Sequence, residues 1–269
     1  MRKTRVRRTS KTCTRGCFVK RFYGSALRNL SHPKGRLKYG VPPVNWEKEI
    51  FMNMEQKAVI FDMDGVIFDS ERLVLDSWEA VGKKYGIPDV GKILTDCIGT
   101  SSAKTREIVH EHYGKDFDFE KYSKEASLFF HEYVRKNGLP VKKGVRELLQ
   151  YLKEAKIPVG LASSTRLAVV EEELKQAGLY DYFRIVVGGD QLKRSKPEPD
   201  IYLMACEKMG VFPENAYAVE DSYNGIRAAY SAGMMPIMVP DLLPATEEMR
   251  EKSIAVFENL LQVKQFLGS

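Results

Sequence analysis

The apolar positions of this chain follow two rhythms. Short unbroken apolar runs occur at Ala58-Val59-Ile60-Phe61, Ile157 to Ala162, Ile185-Val186-Val187 and Ala216-Tyr217-Ala218-Val219, and each stops at a turn rich in Gly, Asp or Ser. Runs of this length without polar alternation suit strands buried on both faces, as in a parallel sheet. Between them lie stretches with apolar residues at three- and four-residue steps, among them Arg166 to Ala177, and a small-residue segment from Gly225 to Ala229. These read as helices, the last one able to pack close to a sheet. The order strand, turn, helix recurs, which predicts an α/β fold with a doubly wound parallel sheet.

Residues 69–141 have another character. Leu73, Val74, Trp78 and Val81 are followed by Ile108 and Val109, then by Tyr122, Ala126, Phe129, Phe130 and Tyr133. The spacing is helical throughout and contains no convincing strand. An interval of roughly seventy residues is far too long for a connection within one α/β unit, so it predicts a small helical domain of its own. The expected division is an α/β core at 54–70 and 141–269, with helices inserted at 71–140. Phe129, Phe130 and Tyr133 are expected in the interior of the insertion.

Chemistry gathers where the apolar runs end. Asp62-Met63-Asp64-Gly65-Val66 follows the first run directly, and the carboxyl ends of parallel strands are where open α/β sheets bind ligands. Gly65 lets the chain turn sharply enough to crowd both carboxylates into one pocket. A hard cation with oxygen ligands, Mg2+ above all, would relieve their repulsion and leave a carboxylate oxygen able to attack phosphorus. The alternative is an ordinary turn that ends a strand. Ser163-Ser164-Thr165 precedes a helix and suits either a phosphate site or an N-cap. Lys196, held between Pro197 and Pro199 and the preceding turn, is stiff enough to point into a site, though most lysines are solvated. Glu220 and Asp221 form a third acidic station after the fourth run.

Four such stations in one order are poorly explained by accident. The chain resembles the haloacid dehalogenase-like hydrolases through DMDGV at Asp62 to Val66, the hydroxyl at Ser163, Lys196 of the KPxPD motif, and VEDSYNGIRAA with Glu220 and Asp221. Within them it is similar to the small phosphatases and β-phosphoglucomutases. The resemblance runs from about Lys57 to the C-terminus. It implies a Rossmann-like core with an α-helical cap, and an aspartyl-phosphate mechanism with Asp62 as nucleophile and Asp64 as general acid and base. It further implies that Ser163, Ser164 and Lys196 hold the phosphoryl oxygens. Mg2+ would be held by Asp62, the Asp64 carbonyl and Asp221, with Glu220 in support. The cap would close over a small phosphorylated substrate, its tip lying near Gly99 to Arg106, where Lys104 and Arg106 could touch a second polar group. β-Phosphoglucomutases carry a histidine where this chain has Val74 and a phosphate-gripping arginine where it has Ser102. These departures favour hydrolysis of a monophosphate, a sugar phosphate or similar metabolite, over the mutase, with Arg106 able to substitute for the missing cation. A non-catalytic binding protein on the same fold is the other alternative, but it has no need of both Asp62 and Asp64.

Composition changes the picture in one respect. The chain has 269 residues, is 43% apolar and has net charge +6. Residues 1–46 contain 13 Lys and Arg and no acid, whereas the remainder contains 29 basic and 36 acidic residues. The basic character therefore belongs to residues 1–53, an extension expected to lack packed structure. It suits an organelle transit peptide, a basic arm, or a start codon assigned too far upstream; the third is preferred, because the fold begins almost at once after Met54. The acidic balance of the rest gives no reason to expect a nucleic-acid partner, and no run of apolar residues suits a membrane span. A monomer is expected, in the cytoplasm, or in an organelle stroma or matrix if the extension is a transit peptide. Cys13 and Cys17 with His32 make an incomplete zinc site, and Cys97 and Cys206 read as apolar filler in a reducing compartment.

Overall fold

A computed structural model describes residues 57–98 and 102–269. The expectations for residues 1–53, for Cys13 and Cys17, and for Gly99 to Ser101 fall outside those residues.

Strand β1, Ala58–Phe61, is buried along its whole length. Its side chains alternate between two apolar clusters. Val59 and Phe61 share one with Leu148, Leu152, Leu174 and Val263, whereas Ala58 and Ile60 share the other with Ile201, Ala205, Ala228 and Ala229. A strand with apolar neighbours on both faces needs no polar alternation, which is why the first run reads as it does. Each large side chain of this kind contributes about 1.5–3 kcal/mol on full burial.

The sheet continues with β2 (Val159–Ala162), β3 (Ile185–Val187), β4 (Ala216–Glu220), β5 (Met235–Met238) and β6 (Ala255–Val256). Every pairing is parallel and the order is β3-β2-β1-β4-β5-β6. The chain therefore winds outward from β1 to β3 and then returns to the other side of β1 to start β4. That reversal opens a crevice beyond the carboxyl ends of β1 and β4. Strands β5 and β6 carry no clear sequence signal: Pro236 interrupts the first, and the second spans two residues.

The insertion consists of α1 (Ser70–Tyr85), α2 (Val90–Thr95), α3 (Ser102–Tyr113) and α4 (Phe119–Asn137), with no strand among its described residues. Leu75, Trp78, Val81, Ile93, Val109 and Phe119 form its own apolar cluster. Trp78 stacks on Phe119 at 5.8 Å between ring centroids. The expectation for the α4 aromatics needs correction. Phe130 packs with Val134 against the cluster of the α/β core, while Phe129 and Tyr133 are 45% and 37% exposed. The spacing 130 and 134 is a helical stripe, but a stripe does not reveal which body it faces.

The remaining helices are α5 (Val145–Glu154), α6 (Leu167–Gln176), α7 (Asp200–Met209), α8 (Tyr223–Ser231), α9 (Glu247–Lys252) and α10 (Leu260–Leu267). Residues of α5, α6 and α10 cover one face of the sheet, and residues of α7 and α8 the other. On the second face the sheet offers Ala58, Ala216 and Ala218, and α8 answers with Ala228 and Ala229. Small residues on both sides bring α8 close to β4. Cys206 is fully buried in this cluster and Cys97 lies in that of the insertion, so both act as small apolar residues.

Candidate active site

Strand β1 delivers Asp62 at its carboxyl end, where the Asp62 N–H donates to the Val219 carbonyl of β4 at 2.9 Å. Strand β4 delivers Glu220 and Asp221 beside it. Each of the three offers a carboxylate oxygen, and these oxygens lie within 4.8 Å of one another. Glu220 has no solvent exposure, and Asp62 and Asp221 are each 7% exposed. Lys196, itself buried, donates to Asp62 Oδ1, to Glu220 Oε1 at 2.6 Å and to the Ala162 carbonyl at 3.2 Å. Glu220 also accepts from the Tyr202 hydroxyl and from the Ser222 hydroxyl, the latter at 3.1 Å.

Two glycines make this crowding possible. A Cβ at Gly225 would stand 1.9 Å from the Glu220 carboxyl carbon, so only glycine lets α8 close over that group. Gly65 has φ +75, and a Cβ there would stand 2.2 Å from Asp221 Oδ2. The turn after Asp64 thus folds back against Asp221.

Asp64 occupies separate surroundings. The Ser70 hydroxyl, first residue of α1, donates to its Oδ1 at 2.6 Å, and the Thr165 hydroxyl donates to its Oδ2 at 3.2 Å. Its carboxylate is thereby tied both to the insertion and to the loop after β2. Ser163 is fully buried, and its hydroxyl accepts from the Thr165 N–H at 3.0 Å. Ser164, exposed, lines a cavity together with Lys196, Asp221 and Glu71.

Three carboxylates share one ammonium here, and burial sharpens the imbalance. Burial pushes the Asp62 carboxyl up to about 8; Lys196 pulls it back, while Glu220 and Asp64 push it further. Asp221 is held far above the usual carboxylate range, by burial first and then by Glu220, Asp62, Glu71 and Asp241. Burial draws Lys196 down, yet Asp62 and Glu220 outweigh it and keep the ammonium above its ordinary value. Lys196 therefore stays charged, and the crowding is felt by the acids, which hold their protons more tightly than usual. A small divalent cation with oxygen ligands fits this donor set.

Sequence reasoning missed a second acidic group. Glu71, Asp221 and Asp241 also offer oxygens within 4.8 Å of one another. Lys142 pairs with Asp241, whose Oδ2 is buried without a hydrogen-bond partner among the described residues. Burial lifts Glu71 to about 7, with Asp241 and Asp64 adding to the effect. Glu71 follows Ser70 in the DSE stretch, so its proximity to Asp64 was legible; Asp241, on the loop beyond β5, carried no signal. The two cap cations lie elsewhere. Lys104 pairs with Glu107 at 2.8 Å and Arg106 with Glu120, and neither lines the cavity that holds Lys196.

Residues 59–239 match the family described as haloacid dehalogenase-like hydrolase. The chain belongs to the haloacid dehalogenase-like hydrolases. It is 36% identical over 182 residues to a phosphorylated carbohydrates phosphatase of Thermotoga maritima, covering 66% of this chain and 82% of that protein. It is 31% identical over 191 residues to the beta-phosphoglucomutase of Bacillus subtilis, covering 68% and 83% respectively. Among solved structures, a haloacid dehalogenase family hydrolase from Deinococcus radiodurans with bound phosphate and sodium superposes with a TM-score of 0.68. That match covers 80% of this chain and 96% of that one. At 22% identity this last likeness is one of fold. The helical insertion after β1 is compatible with a cap domain in this family. No helix among the described residues is long and apolar enough to cross a membrane.

Proposed function

We propose that this hydrolase is a Mg2+-dependent phosphatase that releases phosphate from a small phosphorylated metabolite, a sugar phosphate or close analogue, through an aspartyl phosphate. The observation that carries the reading is the division of labour between two carboxylates two residues apart. Asp62 lies inside the buried acid cluster against Lys196, whereas Asp64 is held outside it by the Ser70 and Thr165 hydroxyls. Two acids in two environments suit two roles.

In the first half-reaction an Asp62 oxygen attacks phosphorus, and the bond from phosphorus to the substrate alcohol breaks. Asp64 gives its proton to the departing oxygen. In the second, Asp64 takes a proton from water, the water oxygen attacks phosphorus, and the bond to Asp62 breaks to free the carboxylate and inorganic phosphate. Lys196 and the Ser163-Ser164 turn would hold the phosphoryl oxygens, and Lys196 is already charged and aimed at Asp62. Asp62, Asp221 and the Asp64 carbonyl would hold Mg2+, with Glu220 in support. The ion would neutralise charge on both the acids and the phosphoryl oxygens. The cap, joined to the site through Ser70 at the start of α1, would limit access of water.

Relatives of both kinds, phosphatase and mutase, match the chain, and the cap favours the former. The resemblance puts Val74 where a mutase would have its histidine, and Val74 is 44% exposed. Arg106, the candidate replacement for a phosphate-gripping arginine, is engaged by Glu120. An assay of phosphorylated metabolites with Mg2+, including β-glucose 1-phosphate with and without a bisphosphate activator, tests the choice. Inorganic phosphate and free sugar are expected; glucose 6-phosphate stimulated by bisphosphate would establish the mutase instead.

A further inference from the structure

The cavity at the site has a volume of about 510 Å³, much more than a phosphoryl group fills and within the range of sites for small molecules. It starts at Ser164, Lys196 and Asp221 and runs along the first turns of α8 past Asn224 and Arg227, with Leu242 and Leu243 on the loop beyond β5 forming part of the wall. This far wall belongs to the core domain and not to the cap.

Resting on the phosphatase reading above, we propose that Asn224 and Arg227 bind hydroxyl groups at the distal end of the substrate. The enzyme would thereby select a monophosphate with a neutral polyhydroxy body over a bisphosphate. Arg227 donates through Nε to Glu248 Oε1 at 2.9 Å, through Nη2 to Glu248 Oε2 at 2.5 Å and through Nη1 to Asn224 Oδ1 at 3.3 Å. Its charge is therefore matched by Glu248 of α9, while some of its N–H donors stay uncommitted among the described residues. A second phosphate placed here would compete with Glu248 for the guanidinium and would add charge to a cavity whose wall already carries Glu71 and Asp221. A hydroxyl meets neither objection. Its oxygen accepts from the remaining Arg227 N–H groups or from the Asn224 amide, and it adds no charge to a region already rich in acids. Leu242 and Leu243 suit the C–H edges of a sugar or polyol. Among the described residues lining the cavity, Lys196 is the other cation, and it is committed to Asp62 and Glu220.

The test compares three substrates in the presence of Mg2+: a hexitol 6-phosphate, glucose 1,6-bisphosphate and p-nitrophenyl phosphate, the last having no hydroxyl to recognise. Arg227→Met should lower kcat/KM for the hexitol phosphate, relative to that for p-nitrophenyl phosphate, by about tenfold, most of it in KM, and Asn224→Ala should act in the same direction. Arg227→Lys keeps the charge but loses the two-pronged grip, so it should restore only part of the preference. If Arg227→Met fails to fold, Asn224→Ala and Arg227→Lys provide the same comparison. A substrate ratio unmoved by all three variants, or wild-type preference for the bisphosphate, would overturn the proposal. Absence of phosphate release from every substrate would remove the phosphatase reading itself, an outcome distinct from an unmoved ratio.

Discussion

At Lys196 a single buried ammonium serves two carboxylates and a backbone carbonyl, and its removal should be felt in stability before any substrate arrives. Lys196→Met would leave Asp62 and Glu220 facing each other without compensation, and breaking a buried pair in this way costs about 3–5 kcal/mol. Urea denaturation of the metal-free protein should show that loss, and a midpoint equal to wild type would mean that Lys196 does not set the charge balance. Asp62→Asn behaves differently. Its carboxyl already resists ionisation, so a neutral amide of nearly the same shape changes the charge balance of the cluster little, and Lys196 keeps Glu220 as its partner. The variant should remain folded, with a melting temperature within a few degrees of wild type. Phosphate release should fall by a factor on the order of 10⁴. Turnover near the wild-type rate would exclude Asp62 as nucleophile.

The strand ends and α8 form a unit in which small residues set distances. Gly225→Ala would drive a methyl group into the Glu220 carboxylate, which no rotation of a flexible side chain relieves, because Glu220 is fully buried and held by Lys196, Tyr202 and Ser222. Either α8 lifts from the sheet or Glu220 leaves Lys196. The expected result is a loss of about 2–4 kcal/mol in denaturant unfolding together with most of the phosphatase activity; a variant matching wild type in both would show that α8 does not clamp this carboxylate. The same unit shows what was legible beforehand. The runs that make β1 and β4 could be read because burial on both faces removes polar alternation, and each ends directly on its acids. Strand β5 escaped notice because Pro236 breaks the apolar run, although its carbonyl still accepts from the Ile254 N–H at 2.8 Å. The stripe on α4 was visible, but not that Phe130 faces the core domain, since periodicity gives a face and not its partner. Asp241 and Arg227 were missed for a related reason. Asp241 meets Glu71 and Asp221 from the loop beyond β5, and no local pattern records a meeting between segments so distant in sequence; Arg227 sits inside the VEDSYNGIRAA stretch, but nothing local shows that it lines the cavity.

For the molecule as a whole, the raised carboxyls link stability to pH and to metal. Asp62 is lifted to about 8, and Glu71 and Glu173 each to about 7, burial being the first cause in all three. An acid whose folded pKa exceeds its unfolded value imposes no penalty below the unfolded value. It lowers stability progressively as pH rises towards the folded value. The metal-free protein should therefore lose stability between about pH 4 and pH 8. On the proposed reading Mg2+ would compete with protons for the acid cluster, so its stabilisation should be larger at pH 8 than at pH 5 in thermal melts; an equal shift at both would place the ion away from these acids. The most direct test of the central claim is a ³¹P NMR time course with a sugar monophosphate and Mg2+, run with wild type and with Asp62→Asn. The account predicts that the substrate signal is replaced by inorganic phosphate alone in wild type and persists unchanged in the variant. Phosphate appearing at the wild-type rate with Asp62→Asn, or an isomeric sugar phosphate accumulating ahead of inorganic phosphate in wild type, would contradict it.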